Sequence, residues 1–290
     1  MLKGSLTALI TPFRQGEIDE EAFVRFIEFQ IREGTQGLVV CGTTGESAVM
    51  TPEEHARTIE LCVKTVAKRV PVIAGTGTND TQKTLRMTQK AKELGADAAL
   101  VVTPYYNKPS QEGLYRHFKF IHDETDIPLI LYNVPGRTGV NISVETVGRL
   151  SELPRIEGIK DATPDILRPI KIKQAVKKEF SVLSGEDATV VAFLAHGGDG
   201  WISVTAKGGA RLCRALHNAW ALKDFETLAT LRDELLPLHE AMFVETNPCP
   251  VKYAAALLGF GDGSVRLPLW EISESSKQKV RDAMSSLGIL

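Results

Sequence analysis

The sequence lacks an excess of charge of either sign. Its 290 residues carry 34 lysines and arginines against 36 aspartates and glutamates, a formal net charge of -2. Proteins that bind nucleic acid or anionic membrane surfaces through electrostatics concentrate positive charge. This near balance therefore gives no support for nucleic acid or a membrane as a partner.

Cysteine is scarce, and long apolar runs are missing. No CxxC pair occurs, so the sequence predicts reduced core thiols and neither a disulfide framework nor a zinc site. The four cysteines are Cys41, Cys62, Cys213 and Cys249. No apolar stretch is long enough to span a bilayer, and residues 1–5 lack a signal-peptide core. We therefore expect a cytoplasmic protein.

Two further absences concern cofactors. None of the six histidines belongs to a His-x-His pair at a predicted strand end, so we expect no metal site. No G-x-G-x-x-G motif follows the first predicted strand, which disfavours a dinucleotide-binding fold. The sequence thus gives no sign of a bound metal or nucleotide.

Short apolar runs rich in β-branched residues alternate with longer amphipathic segments. The predicted strands are Leu6–Ile10, Gly37–Cys41, Pro71–Ala74, Ala98–Val102, Pro128–Tyr132, Ile156–Lys160, Phe180–Leu183 and Trp201–Val204. Helical patterns between them include Glu20–Glu33, Pro52–Lys68, Thr81–Leu94, Gln111–Glu124 and Pro164–Lys177. Such alternation fits an α/β fold, a (β/α)8 TIM barrel, better than an open doubly wound sheet.

The strand pattern stops after an eighth helix predicted at about Gly208–Leu222. Three more helices are predicted beyond it, at Phe225–Phe243, Pro250–Leu258 and Glu271–Leu287. We therefore expect a catalytic barrel over residues 1–223 and an appended C-terminal helical domain over residues 224–290. No low-complexity linker separates them, which predicts a rigid junction.

Lys160 ends the apolar run Ile156–Ile159. Burying a cation there costs free energy unless the cation is paired with an acidic group or takes part in a reaction. In a (β/α)8 barrel the active site lies at the carboxyl ends of the strands. A neutral lysine amine there can attack a carbonyl group and form a Schiff base. Taken alone, the pattern is more typical of a solvated strand end or an ion-pair partner.

The other predicted strand ends carry polar groups as well. Gly42–Gly45 offers two hydroxyls and exposed amides, a suitable cradle for a carboxylate, although a plain capped turn fits equally. Tyr106 and Tyr132 end neighbouring strands, so their phenols could pass protons through Thr43, or could instead bond to backbone. The planar guanidinium of Arg137 could donate two parallel hydrogen bonds to a substrate carboxylate, or it could form a surface ion pair with a nearby acidic residue.

At Gly42–Ser47, Thr103–Asn107, Tyr132–Gly139 and Gly158–Asp161 the chain closely resembles the dihydrodipicolinate synthases, also called 4-hydroxy-tetrahydrodipicolinate synthases. The similarity runs from Leu6 to Pro268. The motifs Gly42–Glu46 and Gly158–Lys160 mark the wider superfamily of pyruvate-dependent class I aldolases, which includes N-acetylneuraminate lyase. The motifs Tyr105–Tyr115 and Tyr132–Gly139 are more selective for the synthases.

The resemblance implies a Schiff-base condensation of pyruvate with L-aspartate 4-semialdehyde, in diaminopimelate and lysine biosynthesis, without a cofactor. Lys160 would attack the keto carbon of pyruvate, and Tyr132 would shuttle protons. Thr43 and Tyr106 would complete the proton relay, with Tyr106 serving the site of an adjacent subunit. The family is commonly a homotetramer built as a dimer of dimers.

The resemblance also assigns the substrate contacts. Thr44 would hold the pyruvate carboxylate, and Arg137 would hold the carboxylate of the semialdehyde. Gly185 and Ile202 would line the pocket, mainly through backbone groups. The amine of the second substrate would then displace Lys160 and close the ring. Asp161, which follows the lysine, receives no role.

Family members that are inhibited by lysine carry an allosteric site at a dimer interface. The residues here that match that site are Ser47, Ala48, His55, Asn79 and Tyr105. Two positions depart from it, because Lys83 replaces a glutamate and Pro52 replaces a histidine found in some members. A cation at Lys83 would repel the ammonium group of lysine, so we expect weak or absent feedback inhibition.

Three alternatives remain at the level of sequence. Within the same fold, a lyase that cleaves a sugar acid to pyruvate and an aldehyde is the nearest, and Arg137 disfavours it. A metal-dependent barrel hydrolase would need His and Asp ligands at strand ends. A non-catalytic paralogue acting as a binding protein would keep the fold without needing Lys160.

Overall fold

The computed structural model describes all 290 residues and contains one closed barrel of eight parallel strands. The strands are β1 (Gly4–Ala8), β2 (Leu38–Val40), β3 (Val72–Gly75), β4 (Ala98–Val102), β5 (Leu129–Asn133), β6 (Ile156–Asp161), β7 (Ser181–Ser184) and β8 (Gly200–Ser203). Each pairs with its neighbour in chain order, and β8 pairs with β1. The predicted (β/α)8 TIM barrel is confirmed.

Eight helices alternate with these strands, and three more follow. They are α1 (Glu20–Arg32), α2 (Pro52–Val66), α3 (Thr81–Glu93), α4 (Gln111–Asp123), α5 (Val144–Ser151), α6 (Arg168–Ala175), α7 (Val190–Ala195), α8 (Ala206–Leu222), α9 (Phe225–Ala241), α10 (Cys249–Leu257) and α11 (Glu274–Ser286). The side chains of Asp19, Thr51 and Asp80 cap the first backbone amides of α1, α2 and α3. No helix is both long enough and apolar enough to cross a membrane.

The sequence placed the start of the sixth helix wrongly. The predicted helix Pro164–Lys177 is observed as Arg168–Ala175. Asp161 is the last residue of β6 and does not belong to the turn that follows the strand. The Asp161 carboxylate accepts a hydrogen bond from the backbone amide of Thr163, at 3.1 Å. Asp165 similarly accepts from the amide of Leu167, at 3.0 Å. These local bonds favour a turn over a helix before residue 168.

The residues form two compact units, residues 1–4 with 71–202 and residues 5–70 with 203–290. In the first unit, strands β4–β7 pack against apolar residues of the helices around them; this core includes Phe118, Ile121, Leu131, Ile159 and Val182. In the second unit, α9 packs on α8, and α11 packs on α9 and α10. The predicted domain boundary between residues 223 and 224 stays a prediction.

All four cysteines are buried and none forms a disulfide, which confirms the prediction of core thiols. Burial raises the pKa of the Cys41 and Cys62 thiols above the ordinary range. A raised pKa keeps a thiol protonated and unreactive. These side chains therefore serve packing.

Gly158 on β6 is the register partner of Ser181 on β7 and leaves no room for a side chain. A Cβ added there would lie 2.7 Å from the carbonyl oxygen of Ser181 on β7, closer than real contacts allow. We expect Gly158→Ala to lower the free energy of unfolding by about 1–3 kcal/mol, because β6 and β7 must move apart. Thermal or denaturant unfolding measures this change.

The matched control is Gly208→Ala on α8. A Cβ there would meet its nearest neighbour, Met284 Cε, at an ordinary 3.7 Å. We expect no loss of stability from this variant, because alanine also favours helix more than glycine does. Equal stability of the two variants would contradict the close-packing argument.

Candidate active site

Lys160 lies at the carboxyl end of β6, directly beside Tyr132 on β5. The two residues are register partners across the parallel strand pair. The Nζ atom of Lys160 lies 4.5 Å from the centre of the Tyr132 ring, and each side chain is only 7% exposed. The predicted amine and the predicted phenol are therefore brought together in a nearly buried setting.

Gly185 makes room for the Lys160 side chain. A Cβ added at Gly185 would lie 3.0 Å from Lys160 Cε and 2.6 Å from Ala162 Cβ. The backbone amide of Gly185 donates to the carbonyl of Asp161 at 2.8 Å, which holds the two chain segments at this distance. A side chain at Gly185 would push the lysine out of position.

Asp161 has a role that the sequence did not reveal. Its carboxylate accepts hydrogen bonds from Arg168 Nε at 2.8 Å and from Asn133 Nδ2 at 3.3 Å, and the other oxygen accepts from the Thr163 hydroxyl at 2.7 Å. The Asp161–Arg168 ion pair is buried. Removing one partner of such a pair leaves an uncompensated buried charge. This network fixes the strand end that carries Lys160.

Glu186 is a second residue that sequence reasoning missed. Burial and the neighbouring Asp187 raise the pKa of its carboxyl group, and the cations of Lys160 and Arg137 partly offset that rise. Its carboxyl group therefore lies within electrostatic reach of both predicted site cations. The only sequence signal was its place directly after Gly185 at the end of β7.

Arg137 lies in a single helical turn, Pro135–Thr138, after β5, and its side chain is exposed. Gly139 ends this turn with φ 68°, a conformation that favours glycine. A Cβ at Gly139 would lie 2.9 Å from Lys108 Cε, so the segment after β4 lies directly against this turn.

The side chain of Tyr106 is exposed to solvent. It has a left-handed backbone with φ 70°, and 87% of its surface is exposed. Asn107 holds the segment, because its side-chain Nδ2 donates to the carbonyl of Asn79 at 2.8 Å. The expectation that Tyr106 and Tyr132 share a proton relay stays a prediction.

The cradle loop, residues 42–46, follows β2 in the second unit. Thr43–Gly45 forms one 3-10 turn, in which Thr44 is buried and Thr43 half-buried. The Thr44 hydroxyl accepts a hydrogen bond from Asn247 Nδ2 at 3.1 Å. The Thr11 hydroxyl donates to the Gly45 carbonyl at 2.8 Å. A short turn that brings a hydroxyl and backbone amides together suits an anion.

Glu46, the last residue of the cradle loop, anchors the carboxyl end of the loop. This residue has a left-handed backbone, and its carboxylate binds Lys252 Nζ at 2.6 Å and the backbone amide of Arg266 at 3.0 Å. Both side chains of the Glu46–Lys252 ion pair are 1% exposed. Burial lowers the pKa of Lys252, and the Glu46 carboxylate opposes this shift.

The remaining predicted residues are placed as follows. Ile202 is buried on β8. Among the predicted allosteric residues, Ser47 and Ala48 form a second 3-10 turn and His55 is buried on α2, all in the second unit. In the first unit, Asn79 and Tyr105 are half-buried, and Lys83 is exposed in the first turn of α3.

Comparison with known proteins gives a consistent result. Residues 1–287 match the model of the dihydrodipicolinate synthetase family. The 4-hydroxy-tetrahydrodipicolinate synthase of Rhodospirillum centenum is 55% identical over 290 residues, covering all of both chains. The crystal structure of dihydrodipicolinate synthase from Aquifex aeolicus has a TM-score of 0.97 at 45% identity, covering 99% of each chain.

A further solved structure carries a ligand. The chloride-inhibited dihydrodipicolinate synthase from Acinetobacter baumannii, complexed with pyruvate, has a TM-score of 0.97 at 43% identity and covers all of both chains. Similarity in sequence and in structure thus extends over the whole length. The chain belongs to the dihydrodipicolinate synthetase family.

Proposed function

We propose that this chain is a lyase of the class I aldolase type that condenses pyruvate with L-aspartate 4-semialdehyde to give 4-hydroxy-tetrahydrodipicolinate. One observation carries the proposal: Lys160 is nearly buried at the end of β6, with its amine 4.5 Å from the Tyr132 ring. The reaction is the one that serves lysine and diaminopimelate biosynthesis in this family.

The reaction begins at the amine of Lys160. Neutral Nζ attacks the keto carbon of pyruvate, and loss of water leaves an imine. Loss of a proton from the methyl carbon then gives an enamine, whose carbon attacks the aldehyde carbon of the second substrate. The amine of that substrate next attacks the former keto carbon, which expels Lys160 and closes the ring. Only water and a proton are released.

The phenol of Tyr132 would move protons for these steps. Its ring lies against Lys160, so its hydroxyl belongs to the same nearly buried setting. A positioned acid–base group accelerates proton transfer by about 100- to 10,000-fold. Thr43 and Tyr106 would continue the relay to solvent.

The two carboxylates of the substrates need separate partners. The Thr44 hydroxyl and amide would hold the carboxylate of pyruvate, and the backbone groups of Gly185 and Ile202 would line its pocket. Arg137 would hold the carboxylate of the semialdehyde through the two parallel bonds that a guanidinium can donate. This arginine favours the synthase over a sugar-acid lyase of the N-acetylneuraminate lyase type.

The exposure of Tyr106 supports an oligomer. A tyrosine that is 87% exposed leaves a large aromatic surface in water, and aromatic residues are enriched at protein interfaces. A second copy of the chain would cover this ring and would use it in its own proton relay. The resemblance to the family implies that this oligomer is a homotetramer built as a dimer of dimers.

The first test concerns Lys160. We expect Lys160→Ala to lower the rate of pyruvate consumption with the semialdehyde by more than about 1,000-fold, because no imine can form. Borohydride added with pyruvate should reduce the imine in the wild type and leave a stable adduct on the peptide that contains Lys160.

The matched control is Lys171→Ala, which removes an exposed lysine of α6. It should keep both the turnover and the adduct. A wild type that forms the adduct but needs no semialdehyde, and instead splits a sugar acid, would favour the lyase alternative. A protein that binds pyruvate without any adduct would support a non-catalytic paralogue.

The second test concerns Arg137. We expect Arg137→Ala to raise the KM for the semialdehyde by about 10- to 100-fold, because bonds between charged groups contribute about 1.5–3 kcal/mol. The pyruvate adduct should form as in the wild type. Steady-state kinetics with each substrate varied in turn gives the KM for pyruvate and the KM for the semialdehyde separately. Arg116→Ala on the exposed face of α4 is the control. An equal loss for both substrates would contradict this role.

The third test concerns feedback by lysine. We expect millimolar L-lysine to leave the rate nearly unchanged, because the exposed ammonium group of Lys83 would repel the ligand. Lys83→Glu should increase the sensitivity to lysine, whereas Lys90→Glu on the same helix should not. Strong inhibition of the wild type would show that the prediction is wrong.

A further inference from the structure

Asn247 lies between α9 and α10 and contacts the cradle loop directly. Its side-chain Nδ2 donates a hydrogen bond to Thr44 Oγ1 over 3.1 Å. The two residues are 5% and 4% exposed, so water competes little for this bond. The reaction proposed above gives Asn247 no part.

The direction of this hydrogen bond determines what the threonine hydroxyl can do. A hydroxyl has one hydrogen to donate and lone pairs to accept with, whereas an amide NH2 group can only donate. Because Asn247 donates, the Thr44 hydroxyl is the acceptor in this bond and keeps its own hydrogen to donate to a second partner. A carboxylate is a strong partner, since hydrogen bonds to charged groups exceed those between neutral groups.

Other contacts hold the backbone of the cradle loop without Asn247. The Glu46 carboxylate is bound by Lys252 and by the amide of Arg266, and the Gly45 carbonyl is bound by the Thr11 hydroxyl. Loss of the Asn247 amide would therefore free the rotation of one hydroxyl and leave the turn in place. Orientation of the hydroxyl and placement of the loop are separable tasks.

We propose that Asn247 is a positioning residue for pyruvate, which orients the Thr44 hydroxyl to donate to the pyruvate carboxylate. This inference rests on the proposed function, in which Thr44 binds that carboxylate. Asn247 acts through Thr44 and does not contact the reacting carbon. Its loss therefore weakens pyruvate binding more than it slows the later steps.

The test is the variant Asn247→Ala. We expect the KM for pyruvate to rise about tenfold, while kcat and the KM for the semialdehyde change by less than about twofold. The pyruvate concentration that gives half-maximal borohydride trapping of Lys160 should rise by the same factor as the KM. Asn218→Ala, an exposed asparagine on α8, is the matched control and should change none of these quantities.

Two further variants separate orientation from a general loss of structure. Thr44→Val should raise the KM for pyruvate by itself, and Asn247→Ala should add nothing further in that background, because both act through one hydroxyl. Asn247→Asp keeps the shape but accepts the hydroxyl hydrogen, so it should raise the KM more than Asn247→Ala does. Independent, additive losses would overturn the proposal.

Failure of this inference is distinguishable from failure of the proposed function. A wild type that neither consumes pyruvate nor forms a borohydride adduct would refute the proposed reaction. An active wild type, together with Asn247 variants that keep the KM for pyruvate, would overturn the positioning role alone. A fall in kcat and melting temperature without a change in KM would assign Asn247 to structure and also overturn it.

Discussion

The pairing of β5 with β6 is the constraint on which the candidate site depends. This register sets Tyr132 beside Lys160 and Asn133 beside Asp161. Successive residues of a strand point to opposite faces, so a slip of one residue between β5 and β6 would place the two site side chains on opposite faces. The hydrogen bond from Asn133 Nδ2 to the Asp161 carboxylate joins the same two strands and supports this register. Strand pairing therefore sets the distance between the amine and the phenol before any substrate binds.

In this fold, buried ion pairs fix the positions of two backbone segments. The Asp161–Arg168 pair fixes the strand end next to Lys160, and the Glu46–Lys252 pair fixes the cradle loop. A buried pair contributes little net stability, because the cost of desolvating both ions offsets their attraction. Its geometry is nevertheless strict, since a displaced partner would leave an unpaired buried charge. Both pairs lie where a small displacement would change the chemistry, which explains their position better than stability does.

The sequence predicted the barrel well because its signals are local. Alternating apolar runs placed the strands within two residues, and the amphipathic patterns placed the first helices closely. The short helices α5 and α7 were not among the named predictions, because segments of 8 and 6 residues are shorter than the roughly 11 residues over which a helical period is judged. The roles of Asp161 and Asn247 depend on Arg168 and Thr44, and Thr44 is 203 positions away from Asn247. Only the fold brings Thr44 and Asn247 together, so no local pattern could reveal that pair.

The cradle loop is an early segment held by late ones. Its late anchors are Lys252 and Arg266, which bind Glu46, whereas Lys160 and Tyr132 belong to the unit that ends at residue 202. Synthesis on the ribosome proceeds from the amino end of the chain. A growing chain therefore contains Lys160 and Tyr132 before the residues that anchor the cradle loop have been made. The cradle loop reaches its anchored position only once residue 266 has been made.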